Sequence, residues 1–339
     1  MNLKIKGKHR FRLPIGFLLF GIGFILVFTF SLFLGSVRMS VSEFFGALFF
    51  RSDETNSIIL YSLRLPRILA AVVAGVGLSL SGVLLQGVTD NSLASPNVIG
   101  VNSGAGFGTV LCLAILPVGS SVLRFSLLPL FAFVFAVLTT LAVLAIASGV
   151  GGTGTSVLLS GVAVTALLNA FISAITLADT DVLSSYNSFS VGGFYGVTYE
   201  ELAIPSAIIV VCLITALLLS KEIDLFCLGS DTAALLGVNV KCLSIICIVL
   251  ASLSAAAVVS FAGLLGFVGL VVPHIARSIF GYRMRSLIPA TAIIGATVTT
   301  LADLVGRVVI APSEIPVGIM MAIVGAPFFI FLLIRRKRT

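Results

Sequence analysis

From Phe125 to Ala178 the chain carries no Asp, Glu, Lys or Arg. A charge at the centre of a bilayer costs about 2.5–3.5 kcal/mol on the insertion scale. One membrane crossing needs about 20 apolar residues, so this stretch is long enough for two. The glycine-rich segment 149–154 (Gly-Val-Gly-Gly-Thr-Gly) divides it. Other uncharged stretches behave alike. Together they predict ten helices, near 14–37, 65–88, 97–117, 125–147, 155–178, 202–220, 242–261, 265–281, 287–307 and 315–334. Only 10% of the 339 residues are charged and 59% are hydrophobic, against about 25% charged in a soluble domain. That excludes a water-soluble globule and a disordered chain. The apolar runs do not alternate with polar residues, which excludes an outer-membrane barrel. The fold class expected is all-α: one polytopic membrane domain over 1–339, with 1–13, 221–241 and 335–339 outside the bilayer.

Ten crossings leave both termini on one side. If that side is the cytoplasm, it holds 14 of the 20 basic residues. These are Lys4, Lys6, Lys8, Arg10 and Arg12; Lys221 and Lys241; Arg277, Arg283 and Arg285; and Arg335, Arg336, Lys337 and Arg338. The outer six are Arg38, Arg51, Arg64, Arg67, Arg124 and Arg307. The bias follows the positive-inside rule. It accounts for the net charge of +7 through topology and anionic lipid, without nucleic acid. The run after Arg12 is long and has no small-residue cleavage site before Arg38, so it reads as an uncleaved first helix in the cell membrane. The five cysteines form no CxxC pair and read as small buried hydrophobes.

Small residues recur at helical spacing: Gly100, Gly104 and Gly108 in one span, and Gly75 with Ser79 and Gly77 with Ser81 in another. They predict close helix packing, with a smooth pore wall as the functional alternative. Asp303 and Arg307 lie four apart and can pair on one face. No carboxylate sits at the middle of a span, which argues against an ion-coupled secondary carrier. The chain has two histidines and neither HExxH nor GxSxG, which argues against a membrane enzyme, and no catalytic residue is assigned. It also lacks GxxxxGK[ST], so it does not hold ATP through a phosphate loop. Energy for driven transport would come from another subunit. No cluster of His, Cys or carboxylates suggests a metal site.

The longest inner loop contains Leu228, Gly229, Ser230, Asp231, Thr232, Ala233, Leu235, Leu236 and Gly237. Ser230 or Asp231 can cap a short helix that Gly237 ends, leaving Thr232, Leu235 and Leu236 on one side. Such a helix suits a partner's groove or rests on lipid headgroups. On the outer face, Arg64-Leu65-Pro66-Arg67 and Arg307 run against the charge rule. They read as snorkelling to headgroups or as docking points for an acidic external partner.

These segments resemble the permease subunits of ABC importers for iron-siderophore, haem and cobalamin. The likeness rests on Leu63 through Arg67, Ser81-Gly82 through Gln86-Gly87, Asn91 through Pro96 with Gly100-Val101, and Leu228-Gly229 through Leu236-Gly237. It continues through Gly266 to His274, Ala302-Asp303 with Arg307, Glu314 to Gly318, and Gly325 to Phe328. The resemblance implies ten helices, a homo- or heterodimer of permeases, two cytoplasmic ATPase subunits and one extracellular binding protein. It implies that Arg64, Arg67 and Arg307 engage glutamates of that binding protein. It places the 230–236 helix in an ATPase cleft and a cytoplasmic gate at Thr155 and Ser156. No cofactor is expected on this chain, since ATP and magnesium belong to the ATPases. Where the family often has two acidic residues after Leu-Gly, this chain has Ser230 and Asp231. The expected function is ATP-driven import of an iron chelate, ferric siderophore first, delivered by the extracellular binding protein. Haem or cobalamin is the alternative within the class, and an ion-coupled carrier the alternative outside it.

Overall fold

The computed structural model describes residues 5–35, 39–47, 54–116 and 121–336. Its elements are α1 (Ile5–Phe33), α2 (Val41–Phe45), α3 (Glu54–Ile58), a π-helical turn Ile59–Arg64, α4 (Leu65–Val88), α5 (Val101–Ile115), α6 (Ser121–Gly149) and α7 (Gly154–Ala178). There follow α8 (Thr180–Val191), α9 (Tyr199–Leu218), α10 (Ser220–Phe226), α11 (Ser230–Leu235), α12 (Val240–Ala262), α13 (Val268–Phe280), α14 (Met284–Val308) and α15 (Val317–Arg336). The described residues contain no strand. Ten helices answer to the ten spans read from the sequence. Seven are long and apolar enough to cross a bilayer, and shorter apolar helices lie in α5, α13 and α15. Lys4, Arg38, Arg51, Lys337 and Arg338, used above to orient the chain, lie outside the described residues.

Some boundaries differ from the sequence reading, for local reasons. Helix α1 starts at Ile5 rather than 14, because its basic residues are good helix formers and carry the helix beyond the apolar part. Helix α5 starts at Val101 rather than 97. Pro96 precedes it, and Gly100 at its N-cap holds φ +86°, so 89–100 stays non-helical. Cys112, Cys212 and Cys247 are buried as expected, but Cys227 and Cys242 are exposed, since both lie in or beside the loop between α9 and α12.

Helices α4, α12 and α14 form the core, while α1 and α7 lie at the rim with most of their apolar surface uncovered. Small residues let the core helices close. A Cβ at Gly82 would overlap the carbonyl oxygen of Gly269 on α13, and one at Gly104 or Gly108 would strike α6 backbone at Phe135 or Phe131. The glycine stripe is therefore a packing surface, not a pore wall.

The bundle has two ends. At one, the 149–154 turn lies against Thr89, and Asp224 of α10 meets Met284 of α14. At the other, the starts of α4 and α9 and the ends of α8, α12 and α14 gather. There the Tyr199 hydroxyl donates to the Tyr61 carbonyl at 2.6 Å, and the Gly193 amide donates to the Ala262 carbonyl at 2.8 Å.

Candidate functional site

The second end is built around three arginines. Pro66 sits in the first turn of α4, where its missing N–H costs nothing. Arg64, just before it, is buried and donates from Nη1 to the carbonyls of Leu32 and Phe33, both at 2.7 Å. Arg307 near the end of α14 is also buried. It donates to the Ser31 and Leu34 carbonyls at 3.3 and 3.4 Å and to the Ser31 hydroxyl. Two guanidinium groups thus meet the last carbonyls of α1, which have no partners within their own helix and lie at the negative end of its dipole.

Arg67 faces the other way. Its Nη2 lies 2.9 Å from Asp303 Oδ1, and its Nη1 donates to Glu314 Oε2 at 2.6 Å. Asp303 Oδ2 lies 3.0 Å from Arg307 Nε, the i,i+4 pair expected from the sequence. The side chains of Arg67, Asp303 and Glu314 are 12%, 2% and 26% exposed. This corrects the sequence reading, in which the outer arginines lay open to water or headgroups. They turn inward because two carboxylates and the end of α1 offer partners in a poorly solvated setting, where an unpaired charge is costly. Sequence reasoning missed Glu314 as a partner of Arg67. Its only signal was a lone carboxylate in an apolar stretch. Beside the cluster opens a cavity of about 730 Å³, lined by Arg67 and Glu314 with Phe189, Phe194, Phe261 and Pro316 among others.

At the first end, α10 and α11 form the loop between α9 and α12. The cap differs from expectation: neither Ser230 nor Asp231 caps α11 with its side chain. Gly229, at φ +109°, is the N-cap. The C-terminus is as expected. The Val238 amide donates to Ala233 O and the Gly237 amide to Ala234 O, both at 3.0 Å, with Gly237 at φ +85°. That is a Schellman pair, which satisfies the last carbonyls. Ala233 is buried and anchors the helix, while Ser230, Asp231 and Thr232 are exposed. Leu235 is 90% exposed and Leu236 56%, with Leu228 also open. The helix shows an apolar edge outward.

The turn that carries Thr155 and Ser156 lies at this same end. Thr153 Oγ1 accepts from the Ser156 amide at 3.2 Å and shares a 2.8 Å hydroxyl bond with Ser156. Ser156 Oγ also reaches the Val150 carbonyl at 3.3 Å. Ser156 therefore ties the turn, and Thr155 points outward. Gly154 has no room for a side chain, since a Cβ there would stand 2.9 Å from Thr89 Cα.

A bundle of ten apolar helices, with an internal charge cluster at one end and an exposed apolar helix at the other, is the build of a multi-pass membrane permease. The chain belongs to the FecCD transport family, described as such, whose profile matches residues 23–335. It is 34% identical over 329 residues to the hemin transport system permease protein HmuU of Yersinia pestis, covering 93% of this chain and 96% of that one. It is 34% identical to the Fe(3+)-citrate import system permease protein YfmE of Bacillus subtilis, over 83% of each chain. The cobalamin import system permease protein BtuC of Halobacterium salinarum is 36% identical over 85% of this chain and 76% of its own. In structure, the chain resembles a transporter described as of the metal-chelate ABC type in an inward-facing conformation. The TM-score is 0.81 at 30% identity, covering 95% of this chain and 99% of that one.

Proposed function

We propose that this chain is the membrane-spanning subunit of an ATP-driven importer for a metal chelate, with a ferric siderophore as the cargo. The observation that carries the reading is α11, a short helix closed by a Schellman pair and anchored by Ala233, whose leucines face outward. An apolar edge on a short helix beyond the spans suits a groove on a partner, and the chain has no phosphate loop of its own. Two ATPase subunits bind there, on the cytoplasmic side, with ATP and magnesium. Both chain termini lie on that side too. A second permease completes the path through the membrane. Haem and cobalamin are the other cargoes compatible with the relatives.

An extracellular binding protein docks at the arginine end. Because Arg64, Arg67 and Arg307 already have internal partners, docking is an exchange. A carboxylate of the binding protein displaces Glu314, the most exposed member, from Arg67. Loaded binding protein and ATP then favour different states of one path, and cargo crosses as the population shifts. The gate turn at Thr155 and Ser156 closes the cytoplasmic side. The metal stays within its chelate, so the chain supplies no ligands.

Uptake of labelled ferric chelates by cells with and without this chain tests the proposal. ATP-dependent uptake that disappears with the chain supports it. Uptake that persists without ATP but collapses with the proton gradient would replace it with a secondary carrier.

A further inference from the structure

Helix α14 runs from the coupling loop to the arginine cluster as one piece of 25 residues. Its own N-cap, Arg283, makes no side-chain cap bond. The acceptor comes from another element: Asp224 of α10 takes the hydrogen bond of the Met284 amide at 2.7 Å. A carboxylate is favoured there by the unpaired first-turn amides and by the helix dipole.

Helix α10 is held from two further directions. Ile223 is fully buried. A Cβ added at Gly87, near the end of α4, would lie 2.8 Å from Met284 Cε and 3.7 Å from Ile223 Cγ2. The Cys227 thiol points to the Gly87 carbonyl at 3.8 Å. Its neighbour Gln86 donates to the Gly269 carbonyl on α13 at 3.3 Å and accepts from Arg277, also on α13. The end of α4 and the start of α14 therefore meet on α10, and Gln86 ties α13 to the same end of α4. Helix α11, three residues beyond the end of α10, offers its leucines outward instead. The two short helices divide the work: α11 faces a partner, and α10 faces the bundle.

We propose that Asp224 is the positioning residue through which movement of the ATPase-bound loop reaches α14. The proposal rests on the importer reading above. The link is a hydrogen bond to a helix end, so an acceptor at this position matters more than its charge. Asparagine keeps an acceptor and alanine does not.

The test uses the complete complex, with ATPase and binding protein, in vesicles, comparing unsubstituted chain with Asp224→Ala and Asp224→Asn. Uptake of labelled ferric chelate and ATP hydrolysis are read together. With Asp224→Ala the ATPase still co-purifies and hydrolysis continues, but chelate carried per ATP falls about tenfold, within the range of coupling changes. Asp224→Asn restores most of it. An unchanged ratio in Asp224→Ala overturns the proposal, as does equal failure of both variants or loss of the ATPase from the complex. A second reading needs no transport: amide exchange at Met284 in the detergent-solubilised chain. It quickens about tenfold in Asp224→Ala and stays slow in Asp224→Asn. Unchanged exchange removes the tether while leaving the importer reading intact. Absence of ATP-driven uptake by the unsubstituted complex removes the importer reading and the transmission with it, whatever the exchange shows.

Discussion

Asp303 answers two guanidinium groups at once, one from α4 and one from its own helix, and its side chain is 2% exposed. Replacing it with Asn removes the charge that the two guanidinium groups share, which leaves Glu314 as the carboxylate beside Arg67 and neutral oxygens as the acceptors around Arg307. Breaking a buried pair by removing one partner costs about 3–5 kcal/mol, so Asp303→Asn is expected to lower the unfolding midpoint in detergent by a corresponding amount. Glu314→Gln is the contrast. Glu314 is more open, and Arg67 keeps Asp303, so the loss is expected to be under about 1 kcal/mol. Equal losses in the two variants would show that the cluster is not organised around Asp303. The pair within α14 was legible from spacing, since residues four apart share a face. The pair between Arg67 and Asp303 was not. It joins residues 236 apart in sequence, and a local reading of Arg67 sees only a cation at the end of an apolar run.

Close approach of helices can be tested at glycines of opposite setting. At Gly82 a methyl group meets the Gly269 backbone, whereas at Gly23 on α1 there is nothing within 4 Å. Gly82→Ala must separate α4 from α13 and is expected to cost about 1–3 kcal/mol. Gly23→Ala faces open space and gains helix propensity, so its midpoint is expected to hold or rise. Thermal unfolding of the two variants side by side checks this. At the same scale, Leu235→Asp changes a side chain that is 90% exposed. Its folding cost is expected to be within about 0.5 kcal/mol, while co-purification of the ATPase falls sharply. Normal assembly with this variant would remove α11 as the contact. The spans themselves were legible because a bilayer imposes one plain rule, length without charge. Elements that escape that rule were missed. Helix α8, with its Ser-Ser-Tyr-Asn-Ser run, is too polar and short to read as a span. Helix α10 offers seven residues, too few for a periodic signal. Helix α11 was visible because Gly237 and the outward leucines lie within one local stretch.

At the scale of the whole molecule, the uncovered surface says what the single chain lacks. Lipid covers an apolar helix without penalty, and α1 shows the bilayer little else between Pro14 and Phe33. Helix α7 is different. It exposes Asn169 and Ser173, beside exposed Ala166, Ala170 and Ala174 at intervals of four. Small residues four apart admit a second backbone, and a polar side chain between helices finds a partner that hydrocarbon cannot offer. This face is the one expected to receive the second permease of the proposed pair. A cysteine at Ala170 is therefore expected to cross-link two permease chains in native membranes, while one at Leu26, on the apolar face of α1, is expected to leave them separate. Gel mobility after mild oxidation reads both. Cross-linking at Leu26 but not at Ala170 would move the interface to α1 and leave Asn169 to the lipid. Adducts of the chain with itself alone would identify a homodimer, and adducts that form only beside a second permease carrying a cysteine at the corresponding position a heterodimer.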